Sequence, residues 1–153
     1  MNKKLIIVFI LVALAGFIDA TYLTVKHYQE ASVACYFVNN CDQVLQSSYA
    51  VWGAVPVSLA GAIYYLILFS FSLISLLKRN KELFIIGAAL TPVGFLTSLW
   101  FLYLQIFILN AFCLYCLASA FFSMLLFAGG LIFLVGLNDG ENKDQAVLPP
   151  RAS

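Results

Sequence analysis

Charge is what this sequence has least of. Eight Lys or Arg, seven Asp or Glu and a single His occur among 153 residues, so charged side chains make up 10% of the chain. A soluble domain carries about 25%. The net charge of +1 supplies no basic field to hold phosphates, which excludes nucleic acid as a partner. No N-x-[ST] sequon, phosphate-cradling glycine loop, internal repeat or low-complexity tract occurs. What fills the chain instead is apolar: 63% hydrophobic, 16% aromatic, with a mean hydropathy of +0.99. That composition excludes a disordered or collagen-like chain and an ordinary water-soluble domain, and the length allows one domain. The chain reads as an integral membrane protein.

A helix crossing the hydrocarbon core needs about 20 mostly apolar residues. Residues 5–25 qualify, with Asp19 the only charge, and residues 55–77 qualify with none. Residues 83–136 then run without Asp, Glu, Lys, Arg or His. At 1.5 Å per residue that stretch would reach ~80 Å, so it must fold back. The polar-punctuated place to do so is 105–112 (QIFILNAF). Helix 3 is therefore expected at about 83–107 and helix 4 at about 112–136. The predicted fold is all-α, a four-transmembrane-helix bundle over residues 1–137, followed by a polar, disordered tail over 138–153.

Basic residues orient it. Lys3, Lys4, Lys78, Arg79, Lys81, Lys143 and Arg151 fall on one side of four crossings, and only Lys26 on the other. The positive-inside rule then makes both termini cytoplasmic. The 26–54 segment and the turn at 108–111 face outward, to the periplasm or exterior. A signal-peptide reading competes at the N-terminus, where MNKK precedes an apolar run and Ala13-Leu14-Ala15 resembles a cleavage site. The run continues to Val25, beyond a usual 7–15-residue apolar region, which favours a retained helix.

Four cysteines carry the chemistry. Cys35 and Cys41 lie in the outward loop, and Cys113 and Cys116 form a C-x-x-C where helix 4 begins, at its outward end. The topology, argued without them, puts all four on the oxidising side. Residues i and i+3 share a helix face, so Cys113 and Cys116 are neighbours. With Asn110 as the expected cap, both fall in or near the first turn, where free N–H groups and the positive end of the helix stabilise a thiolate. The pair also lies near the hydrocarbon boundary, placed to meet a lipid-soluble oxidant, while the loop pair is placed to meet a soluble protein. Plainer readings exist: two structural disulfides, a zinc site, or inert buried thiols. Strain in a helical C-x-x-C disulfide counts against the first, and the wide C-x5-C spacing against the second.

Several stretches carry a resemblance. They are GFIDATYLT (16–24), Cys35 and Cys41 followed by DQVL (42–45) and Ser47-Ser48, PVSLAGAIYY (56–65) opening helix 2, and FCLYCLAS (112–119) opening helix 4. In these, over about residues 12–125 and in this order, the chain resembles the vitamin K epoxide reductase family in its bacterial form. The resemblance implies a membrane disulfide:quinone oxidoreductase in the bacterial cytoplasmic membrane that makes disulfides de novo. It implies that the C-x-x-C reduces a quinone, ubiquinone or menaquinone, and is left as a disulfide. The loop pair would then take electrons from a thioredoxin-like (DsbA-type) extracytoplasmic protein. Mapped here, Cys116 would be the thiolate that attacks or donates to the quinone, and Cys113 its resolving partner and the link to the loop. One of Cys35 and Cys41 would exchange with Cys113 and the other with the partner; spacing leaves the assignment open, with Cys35 toward Cys113 and Cys41 toward the partner favoured.

About 17 residues follow helix 4, too few for a fused thioredoxin-like domain, so the partner is expected in trans. The vertebrate Asn and Tyr that hold vitamin K fall here at Val57 and Ala120, which makes an ordinary quinone the expected substrate rather than an epoxide. A second four-helix family with the same chemistry, of DsbB type, places its C-x-x-C first along the chain; the reversed order here excludes it. The rival from another class is a non-enzymatic membrane protein with two structural disulfides. Ser58, near the outer end of helix 2, is a candidate hydrogen-bond donor to a quinone oxygen, with bonding to its own helix backbone as the plainer alternative. Asp19, ionisable within a span, reads as functional by default or as bonded to Thr21 or Tyr22. No metal is expected. Ser47 and Ser48 are expected to steady a short partial helix after Cys41.

Overall fold

The computed structural model describes residues 3–29, 50–52, 55–110 and 113–146. Among these, four helices are long and apolar enough to cross a membrane. Helix α1 spans Lys3–Tyr28, α2 Val57–Lys78, α3 Lys81–Tyr103 and α4 Leu114–Ala146. A π-helical turn over Leu104–Ile108 extends α3. Each helix packs on two neighbours, α1 on α2 and α4, and α3 on α2 and α4, which closes a four-helix bundle. The expected fold is the observed one, with every end but that of α4 displaced by a few residues at most.

Burial is inverted relative to a soluble bundle. Leu11, Ile18, Val93, Leu96, Phe121 and Ile132 are more than half exposed and turn outward, as a lipid solvent allows. The interior mixes small, aromatic and hydroxyl side chains, including Ala13, Ala20, Ala88, Phe9, Phe84, Tyr65, Ser72, Thr91 and Ser123. At one end Phe84 of α3 meets Phe9 of α1 and Phe133 of α4 edge-on, with centroids 5.0 and 4.5 Å apart. Ile6, Phe9 and Ala13 all belong to this core, so the segment ahead of the cleavage-like Ala13-Leu14-Ala15 is packed as a helix of the bundle.

Midway, Tyr65 of α2 ties three helices. Its ring lies over Gly16 of α1, and its hydroxyl donates to the Ser119 carbonyl of α4 at 2.8 Å, with the Ser119 and Ser123 hydroxyls at 3.0 and 2.9 Å. Its neighbour Tyr64 lies over Gly94 of α3 in the same way. Glycines on α1 and α3 thus supply the notches that let tyrosines cross between helices.

Turns and kinks have local causes. Between α2 and α3, Arg79 takes the left-handed conformation (φ 53°) and the Asn80 side chain accepts the Glu82 N–H at 3.0 Å, capping α3. Pro92 lies inside α3 and cannot donate to the Ala88 carbonyl; the Thr91 hydroxyl donates to it instead, at 2.6 Å. Where backbone has no water to turn to, that replacement allows the proline.

Two features depart from the expectation. A two-stranded antiparallel ribbon, Val51–Trp52 with Val55–Pro56, leads directly into α2, and the Val57 N–H closes it on the Ala50 carbonyl at 2.9 Å. Two-residue strands leave no alternation to read. The second departure is α4, which continues to Ala146 rather than ending near 136, so the tail expected to be disordered from 138 is helical as far as Ala146. A helix already nucleated by a span extends at little cost, and Glu141, Lys143, Gln145 and Ala146 are good helix formers. Cys35, Cys41, Ser47 and Ser48 lie outside the described residues.

A Cβ at Gly16 would stand 2.5 Å from the Tyr65 ring, whereas one at Gly129 would meet Phe9 at an ordinary 3.7 Å. Gly16→Ala should therefore cost about 1–3 kcal/mol and lower the thermal midpoint in detergent, and Gly129→Ala should leave it unchanged or higher.

Candidate functional site

The end of α1, the end of α3 and the start of α4 converge at one end of the bundle, and the C-x-x-C lies at their meeting point. Tyr22 and Leu23 of α1 pack with Leu109, Cys113, Tyr115 and Cys116 in one cluster, and the Tyr22 and Tyr115 rings lie 5.1 Å apart. Cys113 is fully buried and Cys116 partly exposed, and both are free thiols.

Cys113 itself caps α4, which starts at Leu114. Its Sγ accepts the Cys116 N–H at 3.4 Å, and its carbonyl accepts the Leu117 N–H at 3.0 Å. These are the bonds of an N-cap residue, with sulfur in place of the usual oxygen. Asn110, the expected cap, lies three residues earlier with φ 45° and belongs to the turn out of α3. An asparagine accepts that left-handed conformation more readily than most residues, which explains its position there. The expected consequence stands, because unsatisfied N–H groups and the positive helix end meet the sulfur. Cys113 precedes the fourth span (Leu114–Gly136), and its thiol is held below the ordinary range. The Cys116 side chain hydrogen-bonded to it contributes most, and the Cys116 and Tyr115 N–H groups add to this against the opposing effect of burial.

The backbone of Cys113 is held as well. Its N–H donates to Oε1 of Gln105 at 3.0 Å, across the turn from the π-helical end of α3. Gln105 is 1% exposed. From α1, Asp19 comes within electrostatic reach of Cys113, Cys116, Tyr65 and Tyr115. Its Oδ2 is buried with no hydrogen-bond partner among the described residues. The Thr21 hydroxyl, one expected partner, donates to the Phe17 carbonyl instead, at 2.7 Å.

One turn along α4 from Cys116, a cleft of about 220 Å³ lies between α3 and α4. Phe95, Leu99, Leu102, Leu117, Ala120, Phe121 and Met124 line it, with Ser98 as its one polar side chain. Leu99, Phe121 and Met124 are exposed at the outer surface, so the cleft opens where lipid would lie. Ser58 is half-buried in the first turn of α2 and does not line this cleft. No cluster of three potential metal ligands occurs among the described residues.

The model of the vitamin K epoxide reductase family matches residues 7–129, which takes in all four cysteines. The chain belongs to the vitamin K epoxide reductase family. No curated protein matches it. Membership makes the chain a membrane oxidoreductase of disulfide and quinone chemistry in general.

Sequence reasoning found the C-x-x-C and missed what holds it. Gln105 is the only carboxamide side chain inside the four spans, and that isolation was the available signal. Tyr65 with Ser119 and Ser123 left none, since aromatic and hydroxyl residues are common in membrane helices.

The capping bonds predict how Cys113 reacts. In the reduced protein, peptide-resolved alkylation of Cys113 by a small reagent should have its pH midpoint below the ~8.5 of an ordinary thiol. Cys116→Ala should move that midpoint upward. A wild-type midpoint at or above the ordinary value would contradict the arrangement.

Proposed function

We propose that this member of the vitamin K epoxide reductase family is a disulfide-forming quinone reductase, oxidising a thioredoxin-like dithiol protein in trans. The observation that carries the reading is the free Cys113–Cys116 thiol pair. Its first sulfur is capped by backbone N–H, and one turn along α4 from its second residue an apolar cleft opens between α3 and α4. The cleft's lining fits a quinone: aromatic and aliphatic walls for a ring and prenyl chain, opening where such a molecule is dissolved. A quinone bound there accepts two electrons and two protons and leaves as the hydroquinone.

The chain's own residues supply the rest. Cys116, the more exposed sulfur, faces the acceptor. Cys113, buried and capped, is the thiolate of the pair in place of the expected Cys116, and it closes the Cys113–Cys116 disulfide, so the two thiols together lose two electrons and two protons. The Cys35/Cys41 dithiol then resets the pair. A Cys35 thiolate attacks Cys113, the Cys113–Cys116 bond breaks, and Cys41 displaces Cys113 from the mixed disulfide to leave Cys35–Cys41 oxidised. The partner's dithiol reduces Cys35–Cys41 in turn through Cys41 and departs oxidised. Each exchange follows from thiolate fraction, leaving-group acidity and access.

The basic residues orient this path. Lys4 of α1, Lys78 at the end of α2, and Arg79 and Lys81 before and at the start of α3 lie at the end opposite Cys113. Under the positive-inside rule that end is cytoplasmic, which puts the cysteines on the oxidising face of a bacterial cytoplasmic membrane. Val57 and Ala120 lack the polar groups that hold an epoxide in vertebrate relatives, so the substrate is an ordinary ubiquinone or menaquinone. Ser58 remains a candidate donor to a quinone oxygen, and Ala120 lines the cleft.

Purified protein in detergent, given a reduced thioredoxin-like donor and a short-chain ubiquinone or menaquinone, should consume quinone as followed by absorbance. Cys116→Ala should reduce the rate at least a hundredfold. Cys41→Ala should lose activity with the protein donor yet keep it with a small dithiol. No quinone consumption by wild type with any donor would overturn the reading.

A further inference from the structure

The first turn of α4 has a shortage that the sequence of that turn cannot meet. In a capping box, the N-cap side chain accepts the N3 N–H, and the N3 side chain, usually Glu or Gln, reaches back to accept the N-cap N–H. Here the N-cap is Cys113 and N3 is Cys116, so the first half is present as the 3.4 Å bond from the Cys116 N–H to the Cys113 sulfur. The second half cannot be made by Cys116, because a thiol is a weak acceptor and this one has redox work to do. The N-cap N–H of a buried residue would then be unpaired. It is not, because Gln105 of α3 accepts it at 3.0 Å.

Gln105 is placed for this by the shape of α3. The helix widens into a π turn at Leu104–Ile108, closed by the Leu109 N–H on the Leu104 carbonyl at 2.9 Å. Within that turn Leu104 and Gln105 are buried while Ile106, Phe107 and Ile108 are exposed. Asn110, left-handed at φ 45°, follows it. π turns are uncommon and recur at functional sites, and a carboxamide at this depth is costly unless its groups are paired.

We propose that Gln105 is a positioning residue that completes the capping box of α4 in trans, holding Cys113 where its sulfur receives the helix N–H and thereby keeping the Cys113–Cys116 pair oxidising. The cap acts mainly on the reduced state, since a thiolate is a far better acceptor than a disulfide sulfur. A stabilised reduced form makes the disulfide a stronger oxidant. Releasing Cys113 from Gln105 therefore weakens the pair as an oxidant of the loop dithiol. This rests on Cys113 and Cys116 being a redox pair, as proposed above.

The test is a redox titration of full-length protein in detergent against glutathione, the pair's disulfide and two glutathione thiols exchanging with the dithiol and glutathione disulfide. Differential alkylation of the peptide carrying both cysteines reads the ratio. Gln105→Met keeps volume but removes the acceptor, and should shift the equilibrium about tenfold toward the disulfide, ~30 mV for a two-electron couple. It should also raise the pH midpoint of Cys113 alkylation. Gln105→Glu keeps an acceptor at the same reach and should hold the equilibrium within about threefold of wild type. If Gln105→Met titrates with wild type, or if both variants shift equally, the inference is overturned even should the thermal midpoint fall, for then Gln105 only supports the fold. Hydrogen exchange on the wild-type protein covers the case of a variant that does not fold. The Cys113 amide should be protected at least tenfold in the reduced state, and free exchange there would overturn the inference. A wild type forming no Cys113–Cys116 disulfide at any glutathione ratio would instead overturn the redox reading on which the inference depends.

Discussion

A helix that begins at the edge of a bilayer has four backbone N–H groups without intrahelical partners and little water to give them to. Most of what distinguishes this molecule from a generic apolar bundle follows from how α4 meets that constraint. It assigns the cap to a sulfur, borrows a carboxamide from α3, and so places a reactive atom and its activating dipole at one point. The π turn and the left-handed Asn110 are backbone adjustments at the end of α3 where the two helix ends meet.

The same constraint shapes the bundle below. Pro92 would leave the Ala88 carbonyl unpaired, and Thr91 takes its place as donor. Tyr65 would bury a hydroxyl in hydrocarbon, and the Ser119 and Ser123 hydroxyls and the Ser119 carbonyl of α4 receive it. These bonds lie one and two turns along α4 from Cys116, so they also fix the shaft on which the C-x-x-C stands. Asp19 and Tyr64 are the exceptions, each with one buried side-chain oxygen and no partner for it among the described residues.

How much of this the sequence disclosed depends on the range of the interaction. Span number, span order and the placing of Cys113 at the start of the last helix were legible because hydropathy sums over twenty residues and a C-x-x-C is local. The residue that caps α4 was misplaced, because Asn is the better intrinsic cap and nothing local to 110–116 shows that a π turn upstream moves the helix start to Leu114. Gln105 and Cys113 are eight residues apart on different helices, and Tyr65 and Ser119 are 54 apart. Such contacts follow from tertiary register, which pattern reading does not supply. The continuation of α4 to Ala146 was missed for another reason: polarity signals the end of burial, and a helix does not need burial to continue.

The capped sulfur has one further consequence. Many enzymes activate a cysteine with a neighbouring base, and such a nucleophile fails when the base is protonated or substituted. Cys113 receives its largest support from the Cys116 side chain, but a further share comes from the Cys116 and Tyr115 peptide N–H groups, which do not change with the side chains that carry them. That peptide share should therefore survive sequence drift through Leu114 and Tyr115. What it cannot survive is a change in where the helix begins.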